Sequence, residues 1–264
     1  MKHIILSLAV MAGLPAVALA ADLPQRNTAP EYSEPQATPE AIWTGLYVGG
    51  QLGGAFGHES SVTSIPPFAP IGFPGVATPA TTDPSGFIGG AHIGYNFLAL
   101  PMLSGAVGIV GLEGDIDGST YRRVVTFGPG NPFGVGVGSA ETVSNNIQGS
   151  VRARLGVAVN RVLFYGIGGV AIGQFDTSYN NVGTGYDSFS HVLTGYVFGA
   201  GAEYAVTPNW AVRVEYLYSQ FPTFYDHTIH ASALPNTVVS QHEIEQRLEV
   251  GISYKFDTPV IAKY

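Results

Sequence analysis

The chain has 264 residues and no cysteine, carries a formal net charge of −8, and only 11% of its residues are charged. The missing cysteines exclude a disulfide framework and thiolate chemistry, and the acidic balance argues against a nucleic-acid partner, which requires a basic surface. Charged residues make up about 25% of ordinary soluble domains, whereas lysine occurs here only at Lys2, Lys255 and Lys263. The composition therefore indicates a chain with little water-facing outer surface.

The first twenty residues have the pattern of a secretory signal peptide. Lys2 supplies a positive charge, residues 4–17 are mostly apolar, and Ala18-Leu19-Ala20 offers small residues for cleavage before Ala21. The apolar stretch is shorter than the ~20 residues of a spanning helix, so we expect export with cleavage rather than an anchor. Residues 21–42 contain prolines and acids without apolar periodicity, which indicates a flexible periplasmic leader.

From Trp43 onward, alternation of apolar and polar residues with period two predicts an all-β chain of eight strands. The candidate strands are roughly 43–56, 86–97, 105–117, 144–158, 162–174, 191–205, 210–220 and 244–256. Their connections alternate between long and short: 57–85, 118–143, 175–190 and 221–243 are long, and 98–104, 159–161 and 206–209 are short. Short periplasmic turns and long extracellular loops are typical of outer-membrane barrels. We therefore predict an eight-stranded antiparallel up-and-down transmembrane β-barrel over 43–256, with a tail at 257–264.

The last predicted strand has two chemically distinct faces. Its apolar face contains Ile244, Leu248, Val250, Ile252, Tyr254 and Phe256, and its other face contains Glu245, Arg247, Glu249, Gly251, Ser253 and Lys255. The combination of Gly251, Tyr254 and Phe256 resembles the C-terminal signal of outer-membrane barrels, so we expect the barrel-assembly machinery as a partner during biogenesis. The chain continues to Tyr264, which leaves open whether Phe256 or Tyr264 acts as that signal.

The polar faces decide which side of the sheet contacts lipid, because a soluble barrel with an apolar interior would show the same alternation. They are rich in arginine, glutamate, serine and glycine, which suits a packed interior with paired charges. The lumen of an eight-stranded barrel is narrow enough for side chains to fill. We therefore predict that the apolar faces contact outer-membrane lipid. We also predict a lumenal plug of ion pairs among Glu113, Asp115, Arg152, Arg154, Glu203, Arg213, Glu215, Glu245, Arg247, Glu249 and Lys255. A polar permeation path is the alternative.

A series of motifs, in order along the chain, resembles the porin-family outer-membrane immunogenic proteins of alphaproteobacteria, which are eight-stranded relatives of the outer-membrane protein A membrane domain. The motifs are Trp43-Thr44-Gly45-Leu46-Tyr47-Val48-Gly49-Gly50, Gly86-Phe87-Ile88-Gly89-Gly90, Gly111-Leu112-Glu113-Gly114-Asp115, Val151-Arg152-Ala153-Arg154-Leu155-Gly156, Gly201-Ala202-Glu203-Tyr204, Thr207-Pro208-Asn209-Trp210 and Glu215-Tyr216-Leu217-Tyr218. The resemblance implies an abundant surface barrel, often antigenic, that supports envelope integrity. Some members are linked to haem binding.

Other candidate sites are weak. His227, His230 and His242 lie in the loop before the last strand and are weak haem or metal candidates, although exposed polar residues are the simpler interpretation. We predict no cofactor, and the sequence does not identify a loop ligand. Ser190-His191, and Ser240 near His242, lack the spacing of a nucleophile with its base, so we do not expect an enzyme.

Overall fold

Ten β-strands and one short α-helix make up the computed structural model, which describes residues 38–102, 105–127, 139–181, 185–228 and 236–257. Helix α1 spans Pro39–Trp43, and a 3-10 turn spans Ala69–Ile71. The strands are β1 (Gly45–Ile65), β2 (Val76–Thr82), β3 (Ser85–Pro101), β4 (Val107–Phe127), β5 (Ser139–Val159), β6 (Val162–Asn181), β7 (Gly185–Ala205), β8 (Trp210–Gln220), β9 (Phe224–Thr228) and β10 (Thr237–Lys255). The predicted signal peptide, the leader before Thr38 and the tail after Asp257 lie outside the described residues.

Eight of these strands form a closed antiparallel barrel. β1, β3, β4, β5, β6, β7, β8 and β10 each pair with the next, and β1 pairs with β10 to close the ring. The closing register runs from Tyr47 opposite Lys255 to Ser64 opposite Val238. Closure leaves no free sheet edge along the part of the barrel that all eight strands share. The predicted eight-stranded up-and-down barrel is confirmed.

The remaining two strands continue the sheet beyond that shared part. β2 pairs with the far end of β1 in the same register as β3, because Phe56 lies opposite Ser85 and Glu59 lies opposite Thr82. β9 pairs with the far end of β10 after a break at 221–223, and its register is shifted by one residue relative to β8, because Ile244 lies opposite Gln220 and Gln241 lies opposite Phe224. β2 contains Pro79, which cannot donate to a central ladder, and among the described residues β2 pairs with β1 alone.

The outer wall carries a continuous band of exposed apolar side chains. On β1 the band runs from Leu46 to Phe56, the length of about 9–11 residues that a tilted strand needs to cross a bilayer. Aromatic residues border it at both ends: Tyr95, Phe97, Phe164, Tyr204 and Trp210 on the side of the short turns, and Phe56, Phe87, Tyr196, Phe198 and Tyr216 on the other. Phe87 is 80% exposed and Leu52 is 65% exposed, which a protein surrounded by water would not sustain around its whole circumference. The band therefore defines the membrane level of the barrel.

Beyond the band, the strands continue as an extracellular extension with a polar outer face. On β1 the outward residues after Phe56 are His58, Ser60, Val62 and Ser64; all four are exposed and only Val62 is apolar. The loops predicted at 57–85, 118–143, 175–190 and 221–243 are therefore largely strand, and that part of the prediction is wrong. Alternation disappears there because both faces of the sheet are polar. The connection between β6 and β7 covers only 182–184, so the strict alternation of long and short connections fails at that point.

The periplasmic end also differs from the prediction. The leader predicted at 21–42 includes Pro39 to Ile42, which form most of α1. The turn between β5 and β6 contains only Asn160 and Arg161, and Asn160 has a φ of 53°, a conformation that asparagine tolerates. Among the described residues, no helix is both long and apolar enough to cross a membrane.

Candidate functional site

A buried ionic cluster centred on Glu113 fills the membrane level of the lumen. The Glu113 carboxylate accepts from Arg152 Nη2 at 2.5 Å, from Arg213 Nη1 at 3.0 Å and from the Tyr47 hydroxyl at 2.7 Å. Arg154 Nη1 lies 3.5 Å from the same carboxylate. Strand parity explains this convergence, because these residues occupy inward positions on four strands of the ring, β1, β4, β5 and β8, and so meet across the lumen.

Arg154 also shows how the cluster packs against aromatic side chains. Its guanidinium binds Glu203 at 2.8 Å and lies 3.8 Å from the centroid of the Tyr165 ring. The Tyr165 hydroxyl donates to Glu215 at 2.8 Å. Arg154 is 0% exposed, so its charge is balanced by these carboxylates and by ring stacking rather than by bulk water.

A second group surrounds Arg247 on β10. Its guanidinium contacts Asp117 at 3.0 Å, Glu249 at 3.4 Å and Glu245 at 3.5 Å. Gln51 donates to Asp117 at 2.7 Å, and Gln148 donates to Glu245 at 2.9 Å. The two groups connect through Gln51, whose amide oxygen accepts from Arg213 at 3.3 Å.

The membrane-level lumen holds more carboxylates than cations. Its carboxylates are Glu113, Asp115, Asp117, Glu203, Glu215, Glu245 and Glu249, and its arginines are Arg152, Arg154, Arg213 and Arg247. These seven carboxylates and four arginines therefore cannot form simple one-to-one ion pairs. Each guanidinium contacts several carboxylates; Arg152, for example, binds Glu113, Asp115 and Glu215.

The position of Lys255 outside the lumen accounts for part of the excess of carboxylates over cations there. The sequence placed it in the lumenal network, but its ammonium donates to the carbonyl of Ala41 and the residue is half-buried at the periplasmic end. Lys255 is the last residue of β10, so its side chain lies at the rim rather than among the arginines. The other residues named for that network lie within it.

Three inward-facing tyrosines lie over glycines of other strands. Tyr47 covers Gly94 and Tyr165 covers Gly201, the residues directly opposite them, while Tyr121 covers Gly57. A Cβ atom at Gly94 would lie 2.2 Å from the Tyr47 hydroxyl oxygen. The glycines therefore give the rings room, and each hydroxyl donates to a glutamate: Glu113, Glu215 and Glu243 respectively.

An apolar cluster lies at the periplasmic end, below the ionic cluster. Ile42 and Trp43 of α1 are buried against Val107, Ile109, Ala158, Leu163 and Ala205. The Trp43 indole donates to the Asn160 carbonyl at 3.3 Å, and Asn96 donates to the Trp43 carbonyl at 2.7 Å. The apolar contacts of Trp43 and the ionic cluster around Glu113 therefore lie one after the other along the barrel axis.

The extracellular extension contains a third, mainly acidic group. Arg123 binds Glu59 at 2.6 Å and Glu141 at 2.9 Å, and Tyr121 donates to Glu243. Asp226 accepts from Tyr179 at 2.9 Å and lies 2.5 Å from His191 Nε2. The sequence indicated exposed polar loop residues at 226 and 243, yet Asp226 is 0% exposed and Glu243 is 2% exposed.

Burial dominates the electrostatics of this acidic group, which lies above the apolar band. Burial raises the pKa of Glu59 to about 7, although Arg123 opposes the shift. Burial likewise raises the pKa of Glu243 to about 8, against the hydrogen bond from Tyr121 and with the support of the Glu59 charge. Glu59 and Glu243 lie directly opposite each other in the β1–β10 ladder, so ionising both places like charges together.

Comparison with known proteins identifies the family. The model of the outer membrane protein beta-barrel domain matches residues 6–256. The chain belongs to this family of outer-membrane β-barrels. It is 32% identical to the 31 kDa outer-membrane immunogenic protein of Brucella melitensis over 97% of the chain and all of that relative. It is 29% identical to the 25 kDa outer-membrane immunogenic protein of Brucella canis over 97% of the chain and 99% of that relative.

Solved outer-membrane barrels resemble the chain only distantly. Ail, the attachment invasion locus protein of Yersinia pestis, matches 78% of this chain and 99% of its own at 18% identity, with a TM-score of 0.33. The outer membrane protease OmpT of Escherichia coli matches 80% of this chain and 97% of its own at 12% identity, with a TM-score of 0.40. The family assignment, and with it the outer-membrane location, comes from the family model and the Brucella relatives.

The histidines named as weak haem or metal candidates do not converge. His227 lies opposite Val238, four residues from His242 along β10, which places the two about 13 Å apart at the usual rise per residue. His230 lies outside the described residues. Within the described part of the chain, no three histidine, cysteine or acidic side chains are grouped to hold a metal ion.

The remaining residues considered as functional candidates make contacts that belong to the packing of the barrel. Ser190 is exposed on the outer face while the adjacent His191 binds Asp226 inside, so the two do not form a nucleophile–base pair. His92 lies in the lumen between Gln51 and Ser253. Tyr254 packs on Trp210 and Phe256 at the periplasmic girdle, and Gly251 lies beside the Arg213 side chain.

Sequence reasoning missed several of the interior residues. Asp117 was detectable, because it lies two positions after Asp115 and therefore on the same face. Tyr47 and Gln51 were missed because they lie in a glycine-rich strand in which apolar and polar residues alternate only weakly. Glu59, Arg123 and Glu141 were assigned to loops, and Trp43 to the start of a strand.

Proposed function

We propose that this protein is a structural barrel of the outer membrane whose lumen is plugged, and that it supports envelope integrity and presents its extracellular extension and loops at the cell surface. The ionic cluster around Glu113 is the main support for the proposal. Arg152, Arg154, Glu113 and Glu215 are each at most 2% exposed, so they occupy the space through which a solute would pass. The apolar contacts of Trp43 close the same path at the periplasmic end.

Conductance of the refolded protein in a planar bilayer tests the plug. We expect no steady conductance from the wild type. The comparison is a variant that removes both barriers, Trp43→Ala with the charge-neutral pair Glu113→Ala and Arg213→Ala. We expect this triple variant to conduct, whereas Trp43→Ala alone should not, because the barriers act in series. Heat-modifiable migration on gels verifies that each variant is folded.

Two results would contradict the plug. Steady conductance of the wild type would instead support a narrow porin for passive diffusion of small solutes. A folded triple variant without conductance would show that these residues do not close the path. As a matched control, Leu52→Ala removes a side chain of the outer wall and should leave conductance unchanged.

Detergent sensitivity of a deletion strain tests the role in the envelope. We expect the strain to be more sensitive than its parent, and expression of the chain to restore resistance. The non-conducting Leu52→Ala variant should restore resistance equally well. Unchanged sensitivity of the deletion strain would contradict the proposed role.

A further inference from the structure

The extracellular extension consists of two half-sheets rather than a closed ring. The first, here the β1 half-sheet, contains β2, β9 and the ends of β1 and β10 that pair with them. The second, the β5 half-sheet, contains residues 121–127 of β4, 139–145 of β5, 175–181 of β6 and 185–195 of β7. Within each half-sheet the backbone ladder is continuous.

Two seams separate these half-sheets. The β3–β4 ladder ends where Ser85 lies opposite Arg122, and the β7–β8 ladder ends where Tyr196 lies opposite Gln220. Beyond these points, within the described part of the chain, β2 does not pair with β4 and β9 does not pair with β7. The backbone hydrogen bonds that hold the membrane-level ring together are therefore missing across both seams.

Buried side chains connect the half-sheets instead. At one seam Arg123 binds Glu59 and also donates to the Thr82 hydroxyl at 2.5 Å. At the other seam Asp226 binds both Tyr179 and His191. Between the seams, Tyr121 donates to Glu243 and Gln241 donates to the Tyr179 hydroxyl at 2.6 Å.

These connections are asymmetric in charge. The β1 half-sheet supplies the carboxylates Glu59, Glu243 and Asp226, and the β5 half-sheet supplies Arg123, His191 and two tyrosine hydroxyls. Each carboxylate therefore depends on a donor from the other half-sheet. Opening also separates Phe175 from Phe221 and Phe224. Because it leaves the backbone hydrogen bonds of both ladders intact, it requires less free energy than opening of the ring.

We propose that the extracellular extension is a clasp, in which the β1 and β5 half-sheets separate along the two seams while the membrane-level barrel stays closed. Opening the clasp exposes the acidic interior of the extension to the outside of the cell. The inference is independent of whether the lumen conducts.

Distance measurements between spin labels test the clasp, since the cysteine-free chain allows specific labelling. One label pair, Ser64→Cys with Asn180→Cys, joins exposed positions on the two half-sheets. The other pair, Leu52→Cys with Val170→Cys, spans the membrane-level barrel. In bilayers, we expect the triple variant Glu59→Ala, Glu243→Ala and Asp226→Ala to add longer distances to the upper pair and to leave the lower pair unchanged.

A milder variant covers the case in which the triple variant does not fold. Tyr121→Phe with Tyr179→Phe removes two donors at nearly constant volume and should broaden the upper distance distribution in the same direction. Tyr186→Phe with Tyr225→Phe changes two exposed tyrosines and is the matched control, which should resemble the wild type. An unchanged upper distribution in the folded Tyr121→Phe/Tyr179→Phe variant would overturn the clasp. Equal broadening of the lower pair would also overturn it, because the whole barrel would then have loosened.

Discussion

Two stretches of β10 illustrate how differently the membrane-level barrel and the extracellular extension are built. Around Val250 the outward side chains are apolar and the inward ones are Arg247 and Glu249, so lipid and ion pairs lie on opposite faces. Around Val238 the strand pairs with β1 on one side and with β9 on the other, and polar residues occupy both faces. Among the described residues, β9 and β2 have no further partner, so this part of the sheet is not closed. One strand thus belongs to a closed ring at one end and to an open half-sheet at the other. Stability in the first region comes from backbone closure, lipid contact and clustered ion pairs. In the second it comes from carboxylate contacts and from the packing of Phe175 on Phe221 and Phe224.

The largest effect should come from removing the centre of the lumenal cluster. Glu113→Ala leaves Arg152, Arg154 and Arg213 buried without their common acceptor, and we expect a loss of about 3–5 kcal/mol in the free energy of unfolding. Urea unfolding in phospholipid vesicles, followed by tryptophan fluorescence, measures it. In the extension, Glu59→Ala should cost less, because Arg123 keeps Glu141 as a partner. Equal losses for the two variants would remove the distinction between the regions.

A matched pair of substitutions on β10 tests where the lipid-facing band of the barrel ends on the extracellular side. Val250→Arg places a charge in the apolar band, and we expect it to destabilise the barrel by about 2–4 kcal/mol. Val238→Arg makes the same change on the same face of the same strand, but above the band, and should stay within about 0.5 kcal/mol of the wild type. The same vesicle unfolding measurement applies. A comparable cost at both positions would contradict the assigned membrane boundary.

Glycine substitution tests the packing of the lumenal tyrosines. A Cβ atom at Gly201 would lie 2.5 Å from the Tyr165 hydroxyl oxygen, so Gly201→Ala displaces the ring and deprives Glu215 of a donor. We expect a loss of about 1–3 kcal/mol. Gly50→Ala is the control, because the nearest atom to its Cβ would be the Gly90 carbonyl oxygen at 3.6 Å. If both variants were equally stable, the close contact between the Tyr165 ring and Gly201 would not restrict which residue this position accepts.

The smallest expected effect is a pH dependence confined to the extension. Glu59 and Glu243 hold protons more tightly in the folded barrel than in the unfolded chain, so their contribution to stability is present at acidic pH and is lost as pH rises through about 7 to 8. Burial is the main cause of both raised pKa values, and the facing groups Arg123, Tyr121, Glu141 and Glu245 modify them. Hydrogen exchange of peptides covering 57–65 and 237–243, corrected for intrinsic rates, should show more opening at about pH 9 than at about pH 6. Peptides covering 46–54 should not change.

Two variants give this pH experiment its controls. Glu243→Gln removes one titrating group and should reduce the pH dependence. Asp176→Asn removes a carboxylate from the outer face of the extension and should leave it intact. A pH response that is the same in wild type and Glu243→Gln would contradict the role of the Glu59–Glu243 pair.

The sequence predicted the membrane-level barrel because one face of each strand must contact lipid and the other must not. That requirement leaves a period-two pattern, and Arg152, Arg154, Glu215 and Glu249 all follow from it. The extension was not predictable in this way, since water on one side and a polar interior on the other remove the contrast between faces. The positions of Lys255 and Trp43 depend on where a strand ends, which periodicity alone does not determine.

The central claim is that charged side chains fill the lumen and that the apolar outer faces contact lipid. It also holds that the lipid-facing band and the ionic lumen end at the same level of the barrel. A spin-label accessibility scan along β10 tests it. In bilayers, even-numbered positions from 244 to 256 should be accessible to oxygen but not to a water-soluble paramagnetic reagent, and 238, 240 and 242 should show the reverse. Positions 245, 247 and 249 should be protected from both. Access of the water-soluble reagent to 247 and 249 would reveal an open channel, and access to 250 and 252 would show that this face does not contact lipid.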